Sequence, residues 1–535
     1  MEKNKHSYQT FYLGGRLVTF ITNLLYDQNL TDEPTCYKAF HADLLKSIPL
    51  ECRGFEFCPE VTAKIAFLGY QIEEVPIHYY PRSIEEGKKI KWTDGLEAIY
   101  VLLKYYLKDC APKTASLVKQ LSIDYLIVIA CCILSIMASY CIPRTEAMKQ
   151  HLSSALQTVL SEGTDKRACI DMMLFDLDNA TNHIMIAKSA YKDDTNWIKT
   201  SLMNYSATDE EILTKHYLDL QSDAYGRYWH GYLIVLKPLF LFLDYNGIRW
   251  LNYVLLSLLT LSCAYWSYKR IGLQTCILFV LSLCAVEGYI VPLSTQLSTM
   301  FYISLSASLI VLLWGKQLEQ KRLLSNFFFI IGGLTSFFDF LTTPVLSLGL
   351  PLSLHLLLNR EGEKWRKVVK MGIIWLAGYA SIWLSKWILV SLFTEHNMLL
   401  EALQQMSIHM GLESVHSTNP FGDGNVLFER IYVTFTDLPS NPITLWLVFV
   451  FIIGCITLAL LPKKEKGYNQ NVGYLLIALI PIAWYLATGT HTGVHWRFTH
   501  RSLWVTCFSL SIFLLNLIDW QRITNMWNGL LKKHR

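Results

Sequence analysis

The chain is short of charge. Only 17% of its 535 residues are Asp, Glu, Lys or Arg, against 52% hydrophobic, whereas a soluble domain carries roughly a quarter charged residues. The shortage is uneven. Residues 1–119 have ordinary globular character, while most of 120–520 is apolar blocks separated by short charged punctuation. A basic stripe is also missing, and a net charge of +4 gives no footprint for nucleic acid. The opening "MEKNKHSYQTFYLGGR" lacks the early apolar core and small-residue cleavage site of a secretory signal. The first segment is therefore expected to stay in the cytoplasm. Thirteen cysteines are present without a single CxxC pair. Most fall in apolar blocks (Cys131, Cys132, Cys263, Cys276, Cys284, Cys455, Cys507) or near the N-terminus (Cys36, Cys52, Cys58, Cys110), where free Cys packs as a small hydrophobe.

What the chain does have is a series of long apolar runs. A spanning helix needs about 20 mostly apolar residues. Spans are expected near 121–142, 250–267, 271–292, 300–315, 324–338, 343–358, 371–393, 442–461, 472–489 and 502–518, ten in all. The weakest division is "GGLTSFFDFLTTPVLSLGLPL", where Asp339 and Pro344 separate two short runs. Charge tests the count, because Lys and Arg collect on the cytoplasmic side. The alternate loops "YKR" (268–270), "GKQLEQKR" (315–322), "NREGEKWRKVVK" (359–370), "KKEK" (463–466) and the tail "KKHR" (532–535) are all basic. Ten spans put them on one side, with both termini in the cytoplasm. The fold class expected is a mainly α-helical polytopic protein of the cell membrane, with lipid contacts throughout and a basic tail over 521–535.

The opposite side carries the long connections. Residues 143–249 form a large outer loop with helical patterning, and 394–441 form a second. "HTGVHWRFTHR" (491–501) is a short third. "YWHGYLIVLKPLFLFLDY" (228–245) is apolar on most faces but interrupted by Lys237 and Pro238. It is expected to lie in the interface or re-enter the membrane, because a true span there would move every later loop to the wrong side.

The N-terminal segment has a small α/β pattern. "GRLVTFITNLLYDQ" and "EFCPEVTAKIAFLGY" are amphipathic helices, the second closed by Gly69. "QIEEVPIHYYP" alternates as a strand, with Val75, Ile77 and Tyr79 on one face. "KWTDGLEAIYVLLKYYLKD" is amphipathic again, as suits a membrane surface.

"TDEPTCYKAF" followed by "FEFCPEVTAKIAFLGYQIEEVPIHYYPRSIEEGKKIKWTDG" resembles the C-terminal part of a family-2, GT-A-fold glycosyltransferase of the dolichol-phosphate-mannose-synthase type. The resemblance covers roughly residues 9–108. Such enzymes move a sugar from a nucleotide donor to a polyprenyl phosphate. The resemblance implies Asp32 as candidate base, with Lys38 in the same segment, and Arg82, Lys88 and Lys89 as the cations that neutralise phosphates. The family's nucleotide-binding half and its Asp-x-Asp motif do not occur in residues 1–119. This segment alone is therefore expected to be inactive, either a relic surface or a half-site completed by a separate GT-A polypeptide.

The remainder resembles a GT-C-type polytopic glycosyltransferase in architecture: a first span, a large outer loop carrying a catalytic acid, then further spans around a cavity for a polyprenyl-phosphate sugar. Transfer at the outer face needs a carboxylate to take the acceptor proton and cations to hold the departing phosphate. "MLFDLDNATNHIMIAKSAY" offers Asp178, then Asp176, whose i,i+2 spacing on a helix would place them on different faces. Both also read as solvated surface acids. "HTGVHWRFTHR" offers Arg497 and Arg501 for phosphate, with His491 and His495 beside them. The bland alternative is interfacial snorkelling, with Trp496 and Trp504 as belt residues. Arg227 and His230 in "YGRYWHGY" suit sugar stacking or plain anchoring. Ionisable residues inside apolar runs are functional candidates by default: Glu287, Lys386 and above all Asp339, as a site-lining group. No metal site is indicated, since Zn needs three or four converging ligands. No cofactor is indicated either, though the chemistry would accept a divalent cation. The competing class is a non-enzymatic scaffold for a cytoplasmic synthase, or a lipid-linked-sugar transporter. A transporter keeps its essential polar groups along midplane helices, where this sequence has few.

Overall fold

The computed structural model describes residues 9–26, 28–52, 54–70, 72–77, 92–163, 167–170, 173–191, 197–215, 224–359, 364–409, 468–488, 495 and 498–519. The chain divides into two compact units, Met1–Gln120 and Leu121–Arg535.

The first unit is built on α1 (Gln9–Tyr26), α2 (Ala42–Ser47), α3 (Phe57–Phe67) and the early turns of α4 (Trp92–Tyr140). Its core joins Val18 and Tyr26 of α1, Ala63 of α3, and Val101, Leu102 and Tyr105 of α4. Gly69 at φ +87° ends α3, a left-handed turn that costs glycine no steric penalty. A buried carboxylate organises the loop before α3. Glu60 accepts the backbone N–H groups of Glu51 and Cys52, both at 2.8 Å, the Tyr105 hydroxyl at 2.8 Å, and the Lys64 ammonium. The strand expected over 71–81 is not found. Residues 72–77 carry no strand among the described residues, and Val75 is 79% exposed. Alternation favours a strand only when a neighbour completes the ladder, and the described part of this unit offers none. Tyr79 lies outside the described residues.

Among the described residues the second unit is helical apart from one hairpin, β1 (Arg167–Ile170) paired antiparallel with β2 (Met173–Asp176). After α4 come α5 (Glu146–Glu162), the hairpin, α6 (Asn179–Ala190), α7 (Trp197–Met203), α8 (Asp209–Thr214) and α9 (Leu233–Phe240). Then follow α10 (Tyr245–Arg270), α11 (Leu273–Ala285), α12 (Thr295–Gln320), α13 (Leu324–Phe338), α14 (Leu346–Leu358), α15 (Lys364–Phe393), α16 (Met398–His409), α17 (Tyr468–Ala487) and α18 (Leu503–Leu517). Among the described residues four helices are long and apolar enough to cross a membrane: Ala115–Tyr140 within α4, α10, α12 and α15. Shorter apolar helices, α11, α13, α14 and Asn471–Ala487 of α17, accompany them. The run expected over 442–461 lies outside the described residues. With 8 residues, α9 is about 12 Å long, well under the ~30 Å of a bilayer core.

Close backbone approach holds the bundle together. A Cβ on Gly332 of α13 would lie 2.1 Å from the Trp375 carbonyl oxygen, and one on Gly378 of α15 would lie 2.1 Å from that of Phe329. Small residues at a crossing let two apolar helices meet where the hydrophobic effect supplies no drive. One expected span is interrupted. The run 271–292 is α11 plus a 3₁₀ turn, Gly288–Leu293, with Glu287 at φ +56° between them. Pro292 lacks a helix-continuing N–H, and a Cβ on Gly288 would collide with Leu283 at 2.0 Å. The helix therefore stops where the charge sits.

Three buried lysines pin the 143–249 segment, Lys386 to the bundle and the other two within the segment. Lys386 of α15 donates to the Leu202 carbonyl at 2.6 Å, Lys188 of α6 to that of Asn204, and Lys237 of α9 to that of Tyr191 at 3.1 Å. Two of these carbonyls close α7, whose negative dipole end favours a cation. Lys386, a functional candidate by its position in a span, is therefore a structural pin.

Candidate functional site

Asp178 does not sit on a helix face as its spacing with Asp176 suggested. Asp176 closes β2, while Asp178 is the N-cap of α6 in a left-handed conformation, φ 49°. Its Oδ1 accepts the Thr181 N–H at 3.2 Å. The residue is 6% exposed, so it is not a solvated surface acid. Burial raises its carboxyl above the usual range, opposed by the Thr181 hydrogen bonds and by the charge of Arg501.

The frame around Asp178 is specific. Asn179 Nδ2 donates to Glu162 Oε2 at 3.1 Å, and Glu162 receives Arg249 in a two-toothed pair at 2.6 and 2.8 Å. Arg249 Nε donates to the Leu293 carbonyl at 2.7 Å. Asn182 Oδ1 accepts from Ser294 Oγ at 3.2 Å, Thr295 Oγ1 at 2.8 Å and the Gln296 N–H at 3.2 Å. Its Nδ2 donates to the Leu177 carbonyl at 3.1 Å. Leu177 itself packs on Ile290 of the 3₁₀ turn. The start of α6 is thus fastened to the segment that carries Glu287.

Glu287 brings the cations in. Arg501, fully buried, places Nη2 3.5 Å from Glu287 Oε2, and His500 Nε2 lies 4.0 Å from the same oxygen. The 498–502 stretch is held by the Tyr485 hydroxyl on the Thr499 carbonyl at 2.6 Å and by Trp504. Trp504 is 0% exposed, donates to Ser282 Oγ at 3.0 Å and stacks on Phe301. Neither a snorkelling Arg501 nor a belt role for Trp504 survives these positions. The result is a buried guanidinium paired with Glu287, and the charge of that guanidinium also lowers the Asp178 carboxyl as a minor cause. Both acids have positive φ, a conformation that non-glycine residues hold only where the surroundings impose it.

The other expected residues fall elsewhere. His495 is half-buried against Phe498, and burial lowers its pKa. His491 and Arg497 lie outside the described residues, and Asp176 is placed by its backbone alone. His230 is 1% exposed, with Nε2 3.0 Å from the Tyr225 carbonyl and Nδ1 3.2 Å from the Tyr232 hydroxyl. Burial, first among the causes, lowers its pKa well below the usual value. Both ring nitrogens are thus engaged inside the fold. Arg227 lies over the Tyr225 ring, 3.8 Å from Glu401, and its carbonyl accepts the Trp383 and Trp387 indoles at 3.1 and 3.0 Å. Asp339 caps the end of α13, 5% exposed, with Oδ1 accepting the Thr342 N–H at 3.2 Å.

In the first unit Asp32 is exposed, with its N–H on Glu74 Oε1 at 3.1 Å. The buried acid is its neighbour Glu33, 1% exposed, with Lys38 donating to its carbonyl at 2.9 Å and lying 3.9 Å from its carboxylate. Burial raises the Glu33 carboxyl. Arg82, Lys88 and Lys89 lie outside the described residues. Among the described residues no cluster of three or more His, Cys, Asp or Glu is placed to hold a metal ion. Glu287 entered the sequence reading only as an ionisable residue in an apolar run. The signal that marks it is the company of Gly288 and Pro292, which predicts a helix end at a charge.

Among known proteins, the chain is similar to an undecaprenyl-phosphate mannosyltransferase of Micrococcus luteus, 41% identical over 63 residues. The match takes in 11% of this chain and 26% of that protein. It supports a GT-A-like glycosyltransferase region in this chain. No family model and no solved structure matches.

Proposed function

We propose that this protein is a membrane glycosyltransferase that takes a sugar from a polyprenyl-phosphate donor and passes it to an envelope acceptor at the outer face. One observation carries the reading: Asp178, buried at the start of α6, is fastened through Asn182 and Leu177 to the segment where Glu287 holds the buried guanidinium of Arg501. A carboxylate lifted towards neutrality is suited to take a hydroxyl proton, and a desolvated guanidinium is suited to a phosphate. In the reaction, the acceptor oxygen forms a bond to the anomeric carbon while its proton passes to Asp178. The bond from that carbon to the phosphate oxygen breaks, and its electron pair leaves with polyprenyl phosphate, whose charge Arg501 receives. Glu287 is a positioning residue that aims Arg501 and shares His500. The apolar helices supply the surface for the lipid tail. Both termini face the cytoplasm, and a divalent cation is an optional further partner of the phosphate.

On this reading the N-terminal segment is cytoplasmic and forms the acceptor-side wall of a polyprenyl-phosphate sugar synthase, a reading the similarity to the mannosyltransferase supports. Its complement is a separate GT-A polypeptide. The deciding experiment uses the full chain in proteoliposomes with a radiolabelled polyprenyl-phosphate hexose and an envelope extract as acceptor. Label should move to the acceptor with the wild type and stay on the lipid with Asp178→Asn. Equal transfer by both proteins would sink the enzyme reading. Lipid flipping without transfer would favour a transporter.

A further inference from the structure

The outer ends of α12 and α13 hold a second group of buried polar side chains, separate from Asp178, Glu287 and Arg501. Gln296 is 4% exposed, Asp339 5%, Thr342 6% and Thr343 1%. The first three form one connected set, with Thr343 next to Thr342 in sequence. Gln296 Nε2 donates to Thr342 Oγ1, and the Thr342 N–H donates to Asp339 Oδ1 at 3.2 Å. The remaining atoms are the informative ones. Asp339 Oδ2, Gln296 Oε1 and Thr343 Oγ1 are buried and make no hydrogen bond among the described residues. A buried acceptor left without a donor costs about 1–3 kcal/mol, more for a charged one. Two of these atoms belong to the connected set and the third sits beside it in sequence, and a ligand that brings donors would satisfy them.

The chemistry of the set selects the ligand. Two of the three atoms, a carboxylate and an amide oxygen, only accept, and the hydroxyl does both. The partner must therefore bring donors. A divalent cation prefers several carboxylates, and here there is one. A sugar ring brings paired hydroxyls, and Asp and amide oxygens side by side match two of them. Aromatic faces complete such a site: the Tyr228 ring packs 5.8 Å from Phe340, next in sequence to Asp339, and 5.9 Å from Trp383. The Asp339–Thr342 turn holds Leu341 at φ +66°, a strained conformation for a branched residue.

The set is also wired to the proposed reaction centre. The Gln296 backbone N–H donates to Asn182 Oδ1, and Asn182 holds the Leu177 carbonyl next to Asp178. We propose that Asp339, Gln296 and Thr343 form a hydroxyl-recognising subsite for the sugar of the lipid-linked donor, fixing which ring is accepted. The inference rests on the proposed function above, and its test separates the two.

The full chain in nanodiscs is titrated with polyprenyl-phosphate hexose, with the same lipid carrying a deoxyhexose, and with bare polyprenyl phosphate. The wild type should bind the hexose form at least tenfold tighter than the bare lipid. Asp339→Asn, Gln296→Leu and Thr343→Val should each remove most of that preference while bare-lipid affinity stays within twofold. One deoxyhexose should bind the wild type about tenfold weaker and Asp339→Asn no weaker than the hexose does. Variants that weaken both lipids equally would assign the group a purely structural role and overturn the subsite. Unchanged sugar preference would overturn it too. A wild type that binds bare lipid through Arg501, without preferring the sugar, would sink the subsite and spare the function. A wild type that binds none of the three would sink both.

Discussion

Two buried carboxylates, one in each unit, show opposite uses of the same chemistry. Glu60 in the first unit is surrounded by donors: two backbone N–H groups, a tyrosine hydroxyl and a lysine ammonium. Burial by itself would raise its pKa, but the bonds from Cys52, Lys64, the Glu51 N–H and Tyr105 outweigh it and hold the group at about 2. Asp178 in the second unit is also buried, yet its bonds come from Thr181 alone and the charge of Arg501 is a minor aid, so burial wins and its pKa rises. A carboxylate with every lone pair engaged is a structural joint. One kept under-bonded beside a cation is available for chemistry. The number of donors separates the two groups.

The largest test of that contrast is a pair of isosteric changes. Asp178→Asn should lower transfer by about 10²–10⁴-fold while leaving the thermal midpoint of the second unit unchanged or slightly raised. Glu60→Gln should leave transfer at the outer face unaffected and destabilise the first unit by about 3 kcal/mol, the cost of leaving Lys64 and two N–H donors short of a charged acceptor. Unfolding followed by tryptophan fluorescence, alongside the transfer assay, reads both. If Glu60→Gln stopped transfer while the protein stayed folded, the division of labour would be wrong.

Next in size is Glu287→Gln. It keeps the shape but removes the charge 3.5 Å from Arg501, so the guanidinium loses its aim. Donor affinity should fall about tenfold, with a larger fall in turnover than in stability. An unchanged affinity for polyprenyl phosphate would remove Glu287 from the site.

The pH responses of the two acids should run in opposite directions. The folded pKa of Glu60 is depressed, so its stabilisation is complete above the unfolded value near 4.3 and is lost as pH falls towards about 2. The folded pKa of Asp178 is raised, so ionising it opposes folding. That penalty is absent below the unfolded value near 3.9 and grows as pH rises through the folded one. Between about pH 5 and pH 3 the first unit of the wild type should weaken, and Glu60→Gln should flatten that slope. Asp178→Asn should instead flatten a gain in the second unit on acidification. Hydrogen exchange of the two units across this range distinguishes the slopes.

Much of the architecture was legible because apolar runs of span length and basic loops are properties of composition. The runs at 121–142, 250–267, 300–315 and 371–393 became α4, α10, α12 and α15. What failed was local geometry that depends on distant partners. The alternation at Val75 and Ile77 read as a strand, but no neighbouring strand is there to pair with it among the described residues. The Asp176–Asp178 spacing was read on a helix, whereas the chain turns at Asp178 to start one. Arg501 was visible as a phosphate candidate. Its burial against Glu287 was not, because 214 positions of sequence separate residues that the bundle places 3.5 Å apart. His230 shows the converse: a suggestive residue whose ring nitrogens are both engaged inside the fold.

The smallest expected effect probes the scaffold rather than the site. Thr145 caps α5 by accepting the Met148 N–H on Oγ1 at 3.2 Å. At the far end of the same helix Glu162 grips Arg249 and Asn179, and so fixes the start of α6. Thr145→Ala removes one cap, worth about 1 kcal/mol. Exchange should quicken in the first turns of α5, with the transfer rate changed less than twofold and its pH profile unmoved. The reasoning is that a lost cap frays one turn, and 17 residues separate that turn from the Glu162 clamp. If Thr145→Ala instead moved the pH profile of transfer, α5 would be reporting on Asp178 directly. The donors that hold Asp178 under-bonded would then have to be sought along the whole helix rather than at its end.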